Sequence, residues 1–158
     1  AAGASDSTAV TAMRIARERA ALAPGHFFPD ASWTDMNGHR ASLQDLRGKV
    51  VLIDFWHQAW TPWQRDLANL RTTYESYRPL GFEVIGIALD RDPVAPRRYA
   101  GEQRLPWTLV FDEAELPRRL NLFGEVSSFL IDQNGIIIGR NLRGADLTAA
   151  VQKALGAQ

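Results

Sequence analysis

The pattern of apolar and polar positions divides the chain into buried strands and amphipathic helices. After Gly48, residues 49–56 (KVVLIDFW) form an almost wholly apolar run, and residues 82–90 (FEVIGIALD) form a second. Runs of this length are typical of strands buried on both faces of a sheet. Residues 62–79 predict a helix between them, which Gly81 ends. The apolar positions at helical spacing in that helix are Leu67, Leu70, Tyr74 and Tyr77.

Shorter elements complete the order. We expect strands at TLVF and FLID, and the turn at Asn134-Gly135 joins FLID to GIIIGRNL as an antiparallel hairpin. PVAPRRYAGEQR predicts a short helix, and DLTAAVQKAL predicts the last one. Strands that alternate with helices and then form a terminal hairpin predict an α/β fold. Its central sheet is mixed, with helices on both faces.

Two elements precede this sheet. Residues 7–22 predict a helix that Pro24-Gly25 ends, and a hairpin is expected around the turn at Asn37-Gly38. The helix has two interpretations: it packs on the domain, or it is a linker to an upstream domain. We therefore divide the chain into an N-terminal helix or linker, residues 1–24, and one domain, residues 25–158. One face of the helix carries Val10, Met13, Ala16 and Ala20.

Composition excludes several classes of function. Eighteen basic and eighteen acidic side chains cancel among 158 residues, so no net charge favours nucleic acid. No apolar run approaches the ~20 residues that span a bilayer. The chain has no cysteine, which excludes thiolate nucleophiles and thiolate metal ligands. His26, His39 and His57 lack the spacing of a metal site, so we predict neither a metal nor a cofactor.

The stretch FWHQAWTPWQRD, residues 55–66, joins the first buried strand to the following helix. Many α/β folds place their chemistry at such a junction. Thr61, Pro62 and Gln64 have the spacing of a capping box, with threonine at the N-cap and proline at the first helical position. We therefore expect Thr61 to be the N-cap residue, immediately before the first helical residue.

Four stretches carry a family resemblance: SLQDLRGKVVLIDFW, YESYRPLGFEVIGIALD, LPWTLVFD and FLIDQNGIIIGRNLRG. They closely resemble the TlpA-like thiol–disulfide oxidoreductases of the redoxin superfamily, in the same order from about Gly25 to Leu155. The resemblance implies a thioredoxin-like fold. It also implies a periplasmic or other extracytoplasmic location.

The family's active-site motif is degenerate in this chain. Members carry FWATWCxPC where this sequence reads FWHQAWTPW, so Trp60 and Trp63 stand at the two redox cysteines and Pro62 is retained beside Thr61. The resemblance makes Asp54 the buried carboxylate beneath the cysteines. A shift of one residue would place Thr61 and Gln64 at the cysteine positions instead, and it resembles the Thr-x-x-Cys motif of peroxiredoxins. Neither alignment supplies a thiol.

The family's second landmark, a cis-proline facing the cysteines, is replaced by Val126. A cis bond before a residue other than proline costs about 2.5–4 kcal/mol, so we expect the Glu125–Val126 peptide to be trans. Two parts of the active site are therefore lost together. We predict a redox-inactive domain that is not an enzyme and serves as a protein-binding or structural module.

Two uses of the former active site are open. The first is a face for a protein or peptide partner, formed by Trp60, Trp63, Glu125, Val126 and Ser127, with one indole pointing inward and the other outward. The second is an enzyme with non-thiol chemistry. In that case Asp54, His57 and either Ser127 or Ser128 would supply the reacting groups.

Overall fold

The structure, a computed structural model, describes residues 2–111, 115–122 and 125–157. Its helices are α1 (Ala2–Ala20), α2 (Thr61–Tyr77), α3 (Val94–Gln103), α4 (Glu115–Arg119) and α5 (Gly144–Leu155). Its strands are β1 (Ser32–Thr34), β2 (Arg40–Ser42), β3 (Val50–Trp56), β4 (Phe82–Ala88), β5 (Thr108–Val110), β6 (Ser127–Ile131) and β7 (Ile137–Arg140). None of the helices in these ranges is long and apolar enough to cross a bilayer.

Five strands form the central sheet in the order β5-β4-β3-β6-β7. β3, β4 and β5 are parallel, whereas β6 and β7 are antiparallel to their neighbours. All seven residues of β3 are buried, as expected of the strand at the centre. This is the predicted thioredoxin-like α/β fold. Asp54 on β3 lies opposite Gly86 of β4 and Ser128 of β6.

The sheet separates two apolar cores because successive side chains of a strand point to opposite faces. Leu52 and Trp56 belong to the core that α2, α3 and α5 cover. Phe55 belongs to the second core, under α4 and the β1–β2 hairpin. Asp54 lies between Leu52 and Trp56 in sequence, so its carboxyl faces the first core. The fold thus places a carboxyl group beneath the start of α2.

The N-terminal helix packs on the domain only near its end. Val10 and Met13 are 65% and 68% exposed, so the apolar stripe predicted on this helix is not buried. Its attachment is polar: Arg19 donates to the Glu125 carboxylate at 2.6 Å, and Glu18 accepts a hydrogen bond from Asn121. Beyond the helix, Leu22 is buried in the second core and joins the predicted linker to the domain.

Candidate functional site

The start of α2 lies one residue earlier than the sequence predicted. Trp60, not Thr61, is the N-cap, and Pro62 follows within the first turn. The predicted capping box is therefore wrong. The reason is the tight turn after β3, in which the Trp60 N–H donates to the His57 carbonyl at 3.1 Å. The Gln64 side chain reaches back to the Gln58 carbonyl and does not cap the helix.

Trp63 points into the first core. Its side chain is only 5% exposed, and its ring stacks on Trp56 at 4.9 Å between centroids with an interplanar angle of 16°. Its indole Nε1 donates to Oδ2 of Asp54 at 2.9 Å. The side chain therefore fills the space beneath the helix start and gives Asp54 a hydrogen-bond partner.

Asp54 is a buried carboxyl group with a perturbed pKa. Burial disfavours the charged form and raises the pKa from 3.8 to about 6. The hydrogen bond from Trp63 and the positive charge of Arg143 act in the opposite direction, and the negative charge of Asp66 raises the pKa further. The group can therefore bind and release a proton near neutral pH.

A cavity of about 20 Å³ lies beside Asp54, room for about one water molecule. Asp66, Arg143 and the segment 126–128 also line it. The Asp66 Oδ1 atom accepts the backbone N–H of Gly144, the first residue of α5, at 2.8 Å, while burial raises the pKa of the Asp66 carboxyl. The cavity thus joins two acidic groups and one cation.

Trp60 stays at the surface as a half-buried side chain. The Arg143 guanidinium lies over its ring, with 4.3 Å between the Cζ atom and the centroid. This distance is that of a cation–π contact, which fixes both side chains in place. The expectation of one inward and one outward tryptophan thus matches a buried Trp63 and a partly accessible Trp60.

The face predicted for a partner is smaller than the sequence indicated. Trp63 and Ser127 are both buried, so neither can form part of a surface. Glu125 is exposed and Val126 is half-buried, and of the two only Val126 lines the cavity. The Glu125–Val126 peptide is trans, as predicted, because the described residues contain no cis bond.

His57 does not join Asp54 and the serines in a triad. Its Nε2 lies 2.9 Å from Oδ1 of Asp90, and its Nδ1 accepts the N–H of Ala59 at 3.0 Å. Ser127 and Ser128 line the cavity of Asp54, and His57 does not. No group of three acidic or histidine side chains in the described ranges could hold a metal ion.

Three polar residues of this region were not predicted from the sequence: Asp66, Asp90 and Arg143. Asp90 had a usable signal, because it follows β4 as His57 follows β3, and the carboxyl ends of parallel strands meet at one edge of a sheet. Arg143 gave no such signal. It precedes the last helix, and only the packing of α5 on α2 brings it to Trp60.

Comparison with known proteins agrees with this fold. The AhpC/TSA family matches residues 24–140, and the chain belongs to this family. It is 29% identical over 119 residues to the thiol-disulfide oxidoreductase ResA of Geobacillus kaustophilus, covering 75% of this chain and 68% of the relative. It is 32% identical over 127 residues to the chloroplastic peroxiredoxin Q of Gentiana triflora, covering 75% of this chain and 58% of that protein. The chain thus spans roughly three fifths to two thirds of these relatives.

Solved structures show the same thioredoxin-like architecture. The thioredoxin domain of a thiol-disulfide oxidoreductase from Bacteroides vulgatus has a TM-score of 0.75 at 28% identity, covering 83% of this chain and 96% of that one. A thiol:disulfide interchange protein from Bacteroides sp. has a TM-score of 0.76 at 28% identity, covering 87% of this chain and 93% of that one. Proteins named for thiol chemistry therefore share the fold of a chain without cysteine.

Proposed function

We propose that this chain is a redox-inactive redoxin domain that binds a protein or peptide partner through the surface around Trp60. We assign Trp60, Glu125 and Val126 to this surface, called the Trp60 surface below, because Arg143 lies over the Trp60 ring and lines the same cavity as Val126. The proposal rests on a difference in burial between two tryptophans. Both stand at positions that the family resemblance assigns to cysteines. Trp63 is buried against Asp54, whereas Trp60 stays accessible.

The absence of thiols supports the redox-inactive part of the proposal. Disulfide exchange requires a thiolate that attacks sulfur, and no residue of this chain can provide one. An indole has an N–H donor and a π face but no nucleophile. Asp54, which could accept a proton from a thiol, instead accepts the hydrogen bond of Trp63.

The arrangement of Trp60 supports the binding part. Tryptophan and arginine are enriched among the residues that dominate binding energy at protein interfaces. Here the Arg143 guanidinium over the ring reduces the freedom of both side chains, so less conformational entropy is lost when a partner docks. Val126 adds an apolar side chain on the far side of Arg143, with which it lines one cavity. Glu125, which is paired with Arg19, adds a polar rim.

Reduction of insulin by dithiothreitol tests the redox part. We expect the rate with the purified domain to equal the uncatalysed blank, and peroxide consumption with a thiol donor to do the same. A redox-active thioredoxin with an intact Cys-x-x-Cys pair provides the positive control for the insulin assay. A rate clearly above the blank in either assay would contradict the proposal.

Affinity capture with the immobilised domain tests the binding part. We expect a partner retained by the wild type to be lost with Trp60→Ala, at a cost of about 2 kcal/mol or roughly thirtyfold in Kd. The matched control is Leu80→Ala, which removes another exposed apolar side chain at the opposite end of the parallel strands. Equal retention by Trp60→Ala, or no protein retained above bare resin, would refute the binding role.

A further inference from the structure

A separate pocket lies between α3, β5 and the turn of the β1–β2 hairpin. Its volume is about 250 Å³, and it shares no lining residue with the cavity of Asp54. Met36 from the hairpin turn forms one wall, and the Met36 N–H donates to the Leu109 carbonyl at 3.0 Å, which holds the turn against β5. The pocket is therefore built from three elements with fixed positions.

The floor of the pocket is apolar. Ala100 and Leu105 come from α3 and the segment after it, and Leu109 and Phe111 come from β5 and its end. All four are buried side chains of the first core. Met36 is 50% exposed, so it covers the pocket without closing it. The volume is slightly below the ~300–1,000 Å³ of pockets for drug-sized ligands, which favours a smaller molecule.

Two arginines, Arg97 and Arg104, stand at the rim of the pocket. The Arg97 guanidinium lies over the Phe111 ring, with 4.8 Å between its Cζ atom and the centroid. Arg104 ends α3 in a left-handed conformation, with φ 50°, and its side chain has no ion pair within the described ranges. Arg71 adds a third cation nearby, because its guanidinium donates to the carbonyls of Gln103 and Arg104 at 2.6 and 2.9 Å.

The carboxylate of Asp35, which precedes Met36 in the chain, is not paired with an arginine of the rim. Asp35 Oδ1 accepts the backbone N–H groups of Asn37 and His39, both at 2.9 Å, and its Oδ2 lies 3.5 Å from the His39 ring. The Asp35 carboxylate is thus bound within the hairpin turn.

We propose that this pocket binds a small apolar monocarboxylate. The ring or branched chain of the ligand lies on the floor of Leu105, Leu109 and Phe111, and its carboxylate pairs with the Arg104 guanidinium. A guanidinium matches the geometry of a carboxylate and binds it through charge-assisted hydrogen bonds. This activity is independent of the Trp60 surface, so either can be absent without the other.

Gly101 gives the pocket its entrance. It lies on α3 between the two arginines of the rim, and a Cβ atom built there has nothing within 4 Å. A larger side chain at this position therefore enters open space and not a packed core. Gly101→Leu should fill the entrance and leave the fold intact, since leucine is also a better helix former than glycine.

Isothermal titration with 4-tert-butylbenzoate tests the proposal. We expect saturable binding to the wild type with a Kd of about 0.1–1 mM, as suits a ligand of this size. The neutral 4-tert-butylbenzyl alcohol should bind about tenfold more weakly, because it has no charge to pair with Arg104. Arg104→Gln should weaken the benzoate about tenfold, whereas Arg98→Gln, an exposed arginine outside the pocket on the same helix, should not change the Kd.

The filling variant completes the test. We expect Gly101→Leu to abolish benzoate binding while its Tm stays at or above the wild-type value. Gly101→Ala serves if the leucine variant does not fold, and it should weaken binding without loss of stability. Three results would each overturn the proposal: no saturable binding to the wild type, equal binding of the benzoate and the alcohol, or full binding by a folded Gly101→Leu variant.

Discussion

The indole N–H of Trp63 and the carboxylate of Asp54 are joined by a buried hydrogen bond of 2.9 Å. The bond connects the first turn of α2 to the middle of the central strand. Trp63 stands at a cysteine position of the family, and Asp54 is the carboxyl group that the family resemblance puts beneath the cysteines. The bond therefore brings these two positions into contact. A hydrogen bond that stabilises the fold therefore lies where the family resemblance puts a cysteine thiol and its proton acceptor.

The first prediction concerns pH. The pKa of Asp54 is about 6 in the folded chain, above the ordinary aspartate value of 3.8, so the folded state binds the proton more tightly than the unfolded state. The free energy of unfolding therefore contains a contribution that is complete below pH ~4 and is lost as the pH rises through ~6. The loss from this group amounts to about 2–3 kcal/mol.

Asp54→Asn tests this contribution, because asparagine is neutral at every pH and keeps an oxygen acceptor for Trp63. We expect the variant to be more stable than the wild type by about 2–3 kcal/mol at pH 7.5, and the difference to vanish near pH 4. Urea unfolding of both proteins from pH 4 to pH 8 measures it. A difference that does not vary with pH would contradict the prediction.

The second prediction separates the two tryptophans. Trp63→Ala should destabilise the fold by roughly 3–5 kcal/mol because it opens a cavity and leaves Asp54 without its donor. Trp60→Ala should cost only about 1–2 kcal/mol, since it removes a half-exposed ring and one cation–π contact. Thermal or urea unfolding of the single variants measures both. Large losses at both positions would leave no binding surface at Trp60 and would indicate a filled active site.

Trp63→Phe is the matched control for Trp63→Ala. It keeps an aromatic ring next to Trp56 but removes the N–H, so it should cost about 1–3 kcal/mol. The pKa of Asp54 should then rise further, because the hydrogen bond from Trp63 now lowers it. An unchanged pH profile in this variant would show that the bond does not act on the carboxyl group.

The third prediction concerns restored thiols. The double variant Trp60→Cys, Trp63→Cys places two thiols at the N-terminus of a helix, where the helix dipole favours a thiolate. We expect weak insulin reductase activity at best, because the loss of Trp63 also opens the core and Val126 still replaces the family proline. Adding Val126→Pro should raise the activity. If the double variant alone reduces insulin as fast as a redox-active thioredoxin assayed beside it, the loop at Val126 has no part in the loss of activity.

The fourth prediction uses two glycines. A Cβ atom on Gly86 would lie 3.0 Å from Trp107 Nε1 and 3.2 Å from Trp56 Nε1, so Gly86→Ala should destabilise the fold by about 1–3 kcal/mol. Gly101→Ala meets no atom within 4 Å and should stabilise α3 by about 0.5–1 kcal/mol. Thermal unfolding compares them. Equal effects at the two sites would contradict the crowding of Gly86 by the indoles.

The fifth prediction concerns the division of the chain after residue 24, which remains a prediction. A chain that begins at residue 21 should keep most of the stability, because α1 packs on the domain only near its end. A chain that begins at Gly25 also loses Leu22, which is 2% exposed, and should be less stable by about 2 kcal/mol or more. Equal stability of both would show that Leu22 adds nothing to the core.

The strands were predictable because burial on both faces leaves a continuous apolar run. β3 and β4 lie within the predicted runs 49–56 and 82–90. The start of α2 was less predictable, because Thr61 and Gln64 satisfy a local capping pattern while the turn at His57 decides where the helix begins. Two local signals compete at this junction, and the hydrogen bond from the Trp60 N–H to the His57 carbonyl prevails over the capping pattern.

The direction of the Trp63 ring and the position of Arg143 could not be read from the sequence at all. The ring direction depends on the stack with Trp56 and on the Asp54 carboxyl, nine residues away along the chain. Arg143 meets Trp60 only because α5 packs on α2. Both depend on which faces of the helices and strands pack together. The periodic pattern of a single sequence does not specify that.

The hydrogen bond from Gly144 to Asp66 links positions that are 78 residues apart. The first amide of the last helix thus has its partner on a helix from the middle of the chain. During synthesis, α5 cannot complete its first turn in this way until the sheet has assembled and α2 has docked on it. The closure of so long a loop makes this contact a late event in folding. For the same reason, hydrogen exchange at the Gly144 amide measures whether α2 is in place. This amide should exchange with solvent hydrogen as soon as α2 is displaced.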